Sequence, residues 1–224
     1  MYVTSEPIAP DADFFSAPQS TGRVLPDRRV AMGQHVFREG DTVRQIYQVK
    51  SGVVRLARLL EDGRRQVIAF GYPGDIVGFP SLGCYHSDCD ALTDTVLRPY
   101  RRQVLEDGGG DPALHRFLLD AALKEISAMQ DHFMMLGRKS AFEKVASFLT
   151  ALCARVGTGT DGHYTVKLPM TRGDIGDFLG MTTETVSRTL TQLRKSGVIE
   201  IDHVNTVVVM NPEGLIALAS GEAN

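Results

Sequence analysis

The stretch Pro169–Gly197, PMTRGDIGDFLGMTTETVSRTLTQLRKSG, leaves this chain few ways to fold. It predicts two short helices joined by a tight turn. Thr171 with Asp174 three residues on matches the hydroxyl-and-acid pattern that satisfies the orphan amides of a helix start. Ile175, Phe178 and Leu179 then fall on one helical face. Gly180 reaches the left-handed conformation that a sharp corner needs. Thr182 caps a second helix whose apolar face is Val186, Leu190 and Leu193. Gly197 ends that helix after Arg194 and Lys195, cations suited to a helix C-terminus. Its opposite face carries Thr183, Glu184, Ser187, Arg188 and Thr191.

Two helices joined this way fit the helix-turn-helix geometry that enters a DNA major groove. Arginine can bond a guanine edge bidentately, glutamate can accept from a cytosine amino group, and hydroxyls serve bases or phosphates. Thr183, Glu184, Ser187 and Arg188 are therefore the candidate base readers, and Thr171, Arg172, Thr182 and Thr191 the candidate phosphate contacts. Spacing alone also admits two ordinary core helices with a solvated polar face. The next residues weigh against that. Val198–Ile201 and Val207–Met210 are β-branched runs separated by a polar turn through His203 and Asn205, which predicts a hairpin. A helix-turn-helix followed by a hairpin is a winged-helix module.

Upstream, His35–Phe37, Gln45–Val49, Gly52–Arg58 and Gln66–Phe70 are strand-like. Gly33, Gly40-Asp41, Ser51-Gly52, Asp62-Gly63 and Pro73-Gly74-Asp75 mark the turns. Short strands so regularly spaced predict an antiparallel sandwich or β-roll.

These residues carry a resemblance. Asp174-Ile-Gly, Leu179-Gly, Glu184-Thr-Val-Ser-Arg188, Leu193 and Ser196-Gly-Val-Ile resemble the DNA-binding domain of the Crp/Fnr superfamily of transcription regulators, within it the FixK group. The turn spacing, ending in Pro73-Gly-Asp-x-x-Gly-Phe79, is similar to the sensory β-roll of the same superfamily. Together the two cover roughly residues 24–212. The resemblance implies an α+β chain: a cyclic-nucleotide-binding-like β-roll, a long dimerisation helix and a C-terminal winged helix-turn-helix. It implies base reading by Glu184, Ser187 and Arg188 at an inverted repeat of TTGAT-like half-sites. It also implies an activator that touches RNA polymerase and controls low-oxygen respiration or nitrogen-fixation genes.

Residues 111–136 predict the connecting helix, with Asp111 as cap and Pro112 in the first turn. Leu119, Ala122, Ile126, Met129, Phe133 and Leu136 recur at alternating spacings of three and four, a heptad seam. A second stripe, Leu114, Phe117, Leu118 and Ala121, faces the β-roll. Two stripes need two partners, and the second is the same helix of another copy, unless the seam packs within one chain. A two-fold dimer also suits a palindromic site whose readers stand ~34 Å apart. The expected domains are a leader over 1–22, a β-roll over 23–110, a dimerisation helix over 111–137 and a winged-helix domain over 138–224.

The net charge of −3 does not itself favour nucleic acid. Between Arg138 and Glu200, nine Lys or Arg stand against six acids, a mild local surplus suited to reading bases more than gripping phosphates. No apolar run approaches the ~20 residues of a membrane span. The first residues lack the pattern of a secretion signal, and three cysteines make no disulfide scaffold, so a cytoplasmic location is expected.

A cyclic nucleotide needs its phosphate held by backbone amides and an arginine. The segment that matches the nucleotide-binding relatives' Arg-Ser or Arg-Thr pair is 79–90, FPSLGCYHSDCD. It has no arginine and carries Asp88 and Asp90, so no cyclic nucleotide is expected. An iron–sulfur cluster needs four thiolates, and only Cys84, Cys89 and Cys153 exist. Cys84-x-His86-x-x-Cys89 could hold a metal or close a disulfide, but ordinary thiols are the expected reading, with Cys153 in the core. Some FixK proteins carry an oxidation-sensitive cysteine at the start of the helix-turn-helix, where this chain has Thr171. No cofactor or metal is expected, and control falls to protein level or turnover. There is no P-loop, Gly-x-Ser-x-Gly or His-Glu-x-x-His, so no enzyme is expected. Two alternatives stay open: a regulator of the same fold gated by nitric oxide at haem, and a β-roll that binds a small molecule or protein without reading DNA. The exposed Glu184-x-x-Ser187-Arg188 set discriminates against the second.

Overall fold

Alternation of β-branched and polar residues between tight turns builds the first half of the chain. The computed structural model describes residues 25–108, 110–159 and 162–222; the expected leader, 1–22, lies outside the described residues. Strands run β1 (Arg28–Val30), β2 (His35–Phe37), β3 (Gln45–Ser51), β4 (Val54–Leu59), β5 (Arg65–Gly71), β6 (Ile76–Val77), β7 (Pro80–Ser81), β8 (Cys84–Tyr85), β9 (Asp88–Ala91) and β10 (Thr95–Arg101). Two four-stranded antiparallel sheets result, in the orders β1-β10-β3-β6 and β2-β9-β4-β5, with β7 and β8 as a separate hairpin. Phe37 of β2 lies 3.9 Å from Tyr85 of β8 and 6.2 Å from Tyr47 of β3, both rings stacked, so aromatic contacts tie the sheets together. A short helix, α1 (Arg102–Asp107), closes this part.

Next come α2 (Pro112–Arg138), α3 (Ala141–Val156), β11 (Tyr164–Lys167), α4 (Arg172–Leu179), α5 (Thr183–Lys195), β12 (Ile199–His203), β13 (Thr206–Val209) and α6 (Pro212–Ser220). Asp111 caps α2 as expected, accepting from the Leu114 amide. Two compact units divide between Ser127 and Ala128, inside α2.

In the first unit Leu114 and Leu118 are buried on Ile46, Ile76 and Tyr100, with Phe117 and Ala121 packed at the margin. That is the stripe assigned to the β-roll. In the second unit the same side of α2 continues to His132 and Met135, both buried. The His132 ring stacks on Phe178 at 4.3 Å, and Phe178 meets Phe148 edge-on at 5.8 Å. Burial draws the His132 pKa down from 6.5 to about 4, partly opposed by hydrogen bonding to the Phe178 backbone.

Ser140 and Glu143 form a reciprocal capping box at the start of α3. Lys139 Nζ donates to Ser147 Oγ (2.8 Å) and to the Ala219 carbonyl (2.7 Å), fixing the end of α6 against α3. The expected hairpin is β12–β13, and β11 joins it to give a three-stranded antiparallel sheet in the order β11-β13-β12.

Candidate nucleic-acid interface

The turn between α4 and α5 is fixed by local chemistry. Thr171 Oγ1 accepts from the Asp174 amide (3.1 Å), and Asp174 Oδ2 accepts from the Thr171 amide (2.9 Å) and hydroxyl (2.8 Å). This reciprocal box uses both donors of Thr171, so its hydroxyl proton is already committed. The sequence reading offers Thr171 to phosphate; the folded chain uses it to start α4. Gly180 closes α4 in the left-handed region at φ 64°. Gly176 is a second requirement of the corner: a Cβ there would fall 2.6 Å from the Met181 carbonyl oxygen. The chain entering α5 passes that close to α4, which only glycine permits.

Thr182 starts α5 by accepting from the Thr185 amide at 3.1 Å. Val186, Leu190 and Leu193 are buried as expected, joined by Thr189, a polar residue that the apolar pattern does not reveal. On the other face Thr183, Glu184, Ser187 and Arg188 are exposed and Thr191 is half-buried. Their donors and acceptors are used unequally. Ser187 Oγ donates to the Thr183 carbonyl and Thr191 Oγ1 to the Ser187 carbonyl, both at 2.9 Å. These hydroxyls retain acceptor capacity for a base amino group. Glu184 and Arg188 stand four residues apart, a spacing that favours an ion pair on a helix. Neither makes a hydrogen bond or ion pair with any described residue. Both charged heads stay available on the exposed face.

Arg172, another of the four candidates for phosphate, is turned inward. It is half-buried, and its Nη2 donates to the Val204 carbonyl in the β12–β13 turn at 3.2 Å. Burial lowers its pKa.

The seam residues of α2 are open in the single chain. Leu119, Ile126, Met129 and Phe133 are exposed, Phe133 by 73%. Ala122 and Leu136 are half-buried. Leu123, which the three-four spacing does not include, is exposed beside them by 63%.

Elsewhere, Asp90 of the 79–90 segment pairs with Arg55 of β4 through Nη2–Oδ2 at 2.9 Å and Nε–Oδ1 at 3.2 Å. Asp88 accepts from the Glu39 amide. A cation from a neighbouring strand thus neutralises Asp90, one of the two acids that count against a phosphate in this segment. Cys84, Cys89 and Cys153 are free thiols. Burial pushes Cys89 strongly up and Cys153 to about 12, which keeps both protonated. No cluster of three or more potential metal ligands occurs among the described residues. No described helix is long and apolar enough to cross a membrane.

A helix-turn-helix backed by a three-stranded wing, following an antiparallel β-domain in the chain, defines a winged helix-turn-helix regulator. Residues 143–218 match the Crp-like helix-turn-helix domain and residues 27–107 the cyclic nucleotide-binding domain. The chain is 37% identical over 204 residues to the nitrogen fixation regulation protein FixK of Rhizobium meliloti (strain 1021), covering 91% of each. It is 40% identical over 200 residues to FixK of Bradyrhizobium diazoefficiens, covering 86% of this chain and 82% of that one. The solved structure of FixK2 from Bradyrhizobium japonicum superimposes with a TM-score of 0.79 at 36% identity, over 88% of this chain and 98% of the other. The chain belongs to the FixK-like group of the Crp/Fnr family of DNA-binding transcription regulators, and is not an enzyme.

Proposed function

We propose that two copies of this chain bind an inverted repeat of TTGAT-like half-sites, each placing α5 in a major groove. The observation that carries this is the pair Glu184 and Arg188, exposed on a helix capped at its entry by Thr182 and without a hydrogen-bonding or ion-pair partner among the described residues. Arg188 would bond a guanine edge through its fork, and Glu184 would accept from a cytosine amino group. Ser187 and Thr183 complete the base-reading set, while Thr182 and Thr191 flank it toward the phosphates, Thr191 by turning its hydroxyl proton from the Ser187 carbonyl to a phosphate oxygen. In this reading residues 23–110 are the sensory-type domain, 111–137 the dimerisation helix and 138–224 the DNA-binding domain.

The seam Leu119, Ala122, Ile126, Met129, Phe133 and Leu136 would be covered by its copy across a two-fold axis. The large apolar side chains of Leu119, Ile126, Met129 and Phe133, exposed on one helix, support that cover. The dimer acts in the cytoplasm as an activator of respiration or nitrogen-fixation genes through contact with RNA polymerase. Control does not run through a cyclic nucleotide: the 79–90 segment lacks an arginine, and the nearby Arg55 is committed to Asp90. No cofactor enters this reading.

Fluorescence anisotropy with a TTGAT inverted repeat and a scrambled duplex tests the reading. Specific binding at least about a thousandfold tighter than to the scramble is expected. Equal affinity for both would refute it. Ile126→Glu puts a charge in the seam, so it should sediment as a monomer and lose most of its affinity for the two-fold site. An intact dimer would remove the seam from the interface.

A further inference from the structure

We infer that Arg172 is a wing-positioning residue and not a phosphate contact. A phosphate-binding arginine keeps its fork in water, as Arg188 does. Arg172 is instead half-buried at the start of α4, with Nη2 on the Val204 carbonyl at 3.2 Å. Its Nη1 is fully enclosed and has no acceptor among the described residues, so a phosphate could reach that nitrogen only if the side chain left its seat.

The bond spans 32 residues of sequence, from the first residue of α4 to the tip of the wing. One residue further on, the Asn205 carbonyl accepts from the Leu168 amide at 2.8 Å. Two successive carbonyls of the wing turn are thus held by the segment leading into the helix-turn-helix. Between them they fix both the height and the direction of the turn, whose Val204 side chain is 81% exposed. The Leu168 bond belongs to the backbone and survives any side-chain change at 168 other than to proline. The Arg172 bond is the adjustable one, and it couples the wing tip to the element that carries α5. Given the DNA-reading role proposed above, Arg172 sets where the wing meets the duplex while α5 reads the bases.

Two measurements on the full chain decide this. Without DNA, Arg172→Ala should speed amide exchange across β12–β13 by about three- to tenfold while α5 keeps its protection. Arg172→Gln, which retains a donor without the charge, should recover part of that protection. With an inverted-repeat duplex, Arg172→Ala should weaken binding several-fold and leave the slope of log affinity against log salt unchanged. A phosphate contact would instead lower that slope by about one. Unchanged exchange in the wing, or a slope reduced by about one, overturns the inference. If neither wild type nor variant prefers the specific duplex, the functional reading fails, and the exchange data still judge the latch.

Discussion

The β-domain and the α4–α5 corner use charge in opposite ways. In the β-domain, arginines are matched to acids: Arg55 to Asp90, Arg58 to Glu39, Arg98 to Asp27 and Arg102 to Glu106. Several of these pairs join residues from strands or loops far apart in sequence, so they serve the fold. On α5, Glu184 and Arg188 have the spacing for such a pair and do not make one. Their neighbours Ser187 and Thr191 give their hydroxyl protons to the helix backbone and keep their lone pairs outward. A surface that satisfies itself stabilises a domain. A surface that leaves its charges open, on a helix otherwise fully capped, is prepared for an external partner.

The contrast depends on a rigid support beneath α5, and the largest expected effect lies there. Phe178→Ala removes a fully buried ring that carries both Phe148 and His132. It should destabilise the C-terminal unit by about 3–5 kcal/mol and abolish DNA binding, as followed by calorimetry and gel shift. A folded, binding-competent variant would show that α5 needs no such support.

The same cluster predicts a pH dependence. His132 stays neutral in the folded chain down to pH about 4, whereas the unfolded chain takes up the proton near 6.5. Stability should therefore fall as pH drops from 6.5 towards 4 and gain nothing from this group above 6.5, with about 3 kcal/mol at stake. His132→Phe, which keeps the stack, should flatten that fall in a denaturation series. An unchanged profile would mean that His132 protonates freely in the folded chain.

Arg55→Ala and Arg188→Ala set the two regions side by side. Arg55→Ala leaves Asp90 without its charge partner in a largely enclosed site, 13% exposed, and should cost about 1–3 kcal/mol of stability without altering base preference. Arg188→Ala should change stability by less than about 0.5 kcal/mol. It should instead remove about 1–3 kcal/mol of discrimination at one base pair. Melting curves together with binding to single-substituted duplexes separate the two outcomes. Exchanged phenotypes would reverse the assignment of the two surfaces.

Much of the corner was legible because its determinants are local. The Thr171–Asp174 box, the Gly180 corner, the Thr182 cap and the buried face of α5 all act within four residues, where spacing alone is informative. Gly176 shows in the sequence only as part of the Asp174-Ile-Gly run, since its necessity comes from how closely the entering chain passes it. The seat of Arg172 is not legible for a related reason: its partner lies 32 residues away, and an arginine at a helix start reads equally well as a phosphate ligand. The buried side of α2 is legible as far as Ala121 and not beyond, because Glu125 and the polar His132 interrupt the apolar pattern. In the β-domain β3, β4 and β5 stand out in the sequence, whereas β10, as long as β3 and β5, is masked by Pro99, a residue that counts against a strand. The two-residue strands β6, β7 and β8 are too short to show a period, and the ion pair of Asp90 with Arg55 arises from strand register, which composition does not encode.

The central claim is that a pair of α5 helices reads a two-fold symmetric sequence through Glu184, Ser187 and Arg188. Selection of binding sites from random duplexes by the purified protein tests it most directly. The account predicts enrichment of an inverted repeat whose half-site centres lie about one helical turn apart, with Arg188→Ala losing preference at one position in each half. Enrichment of an asymmetric sequence, or of none, would contradict it.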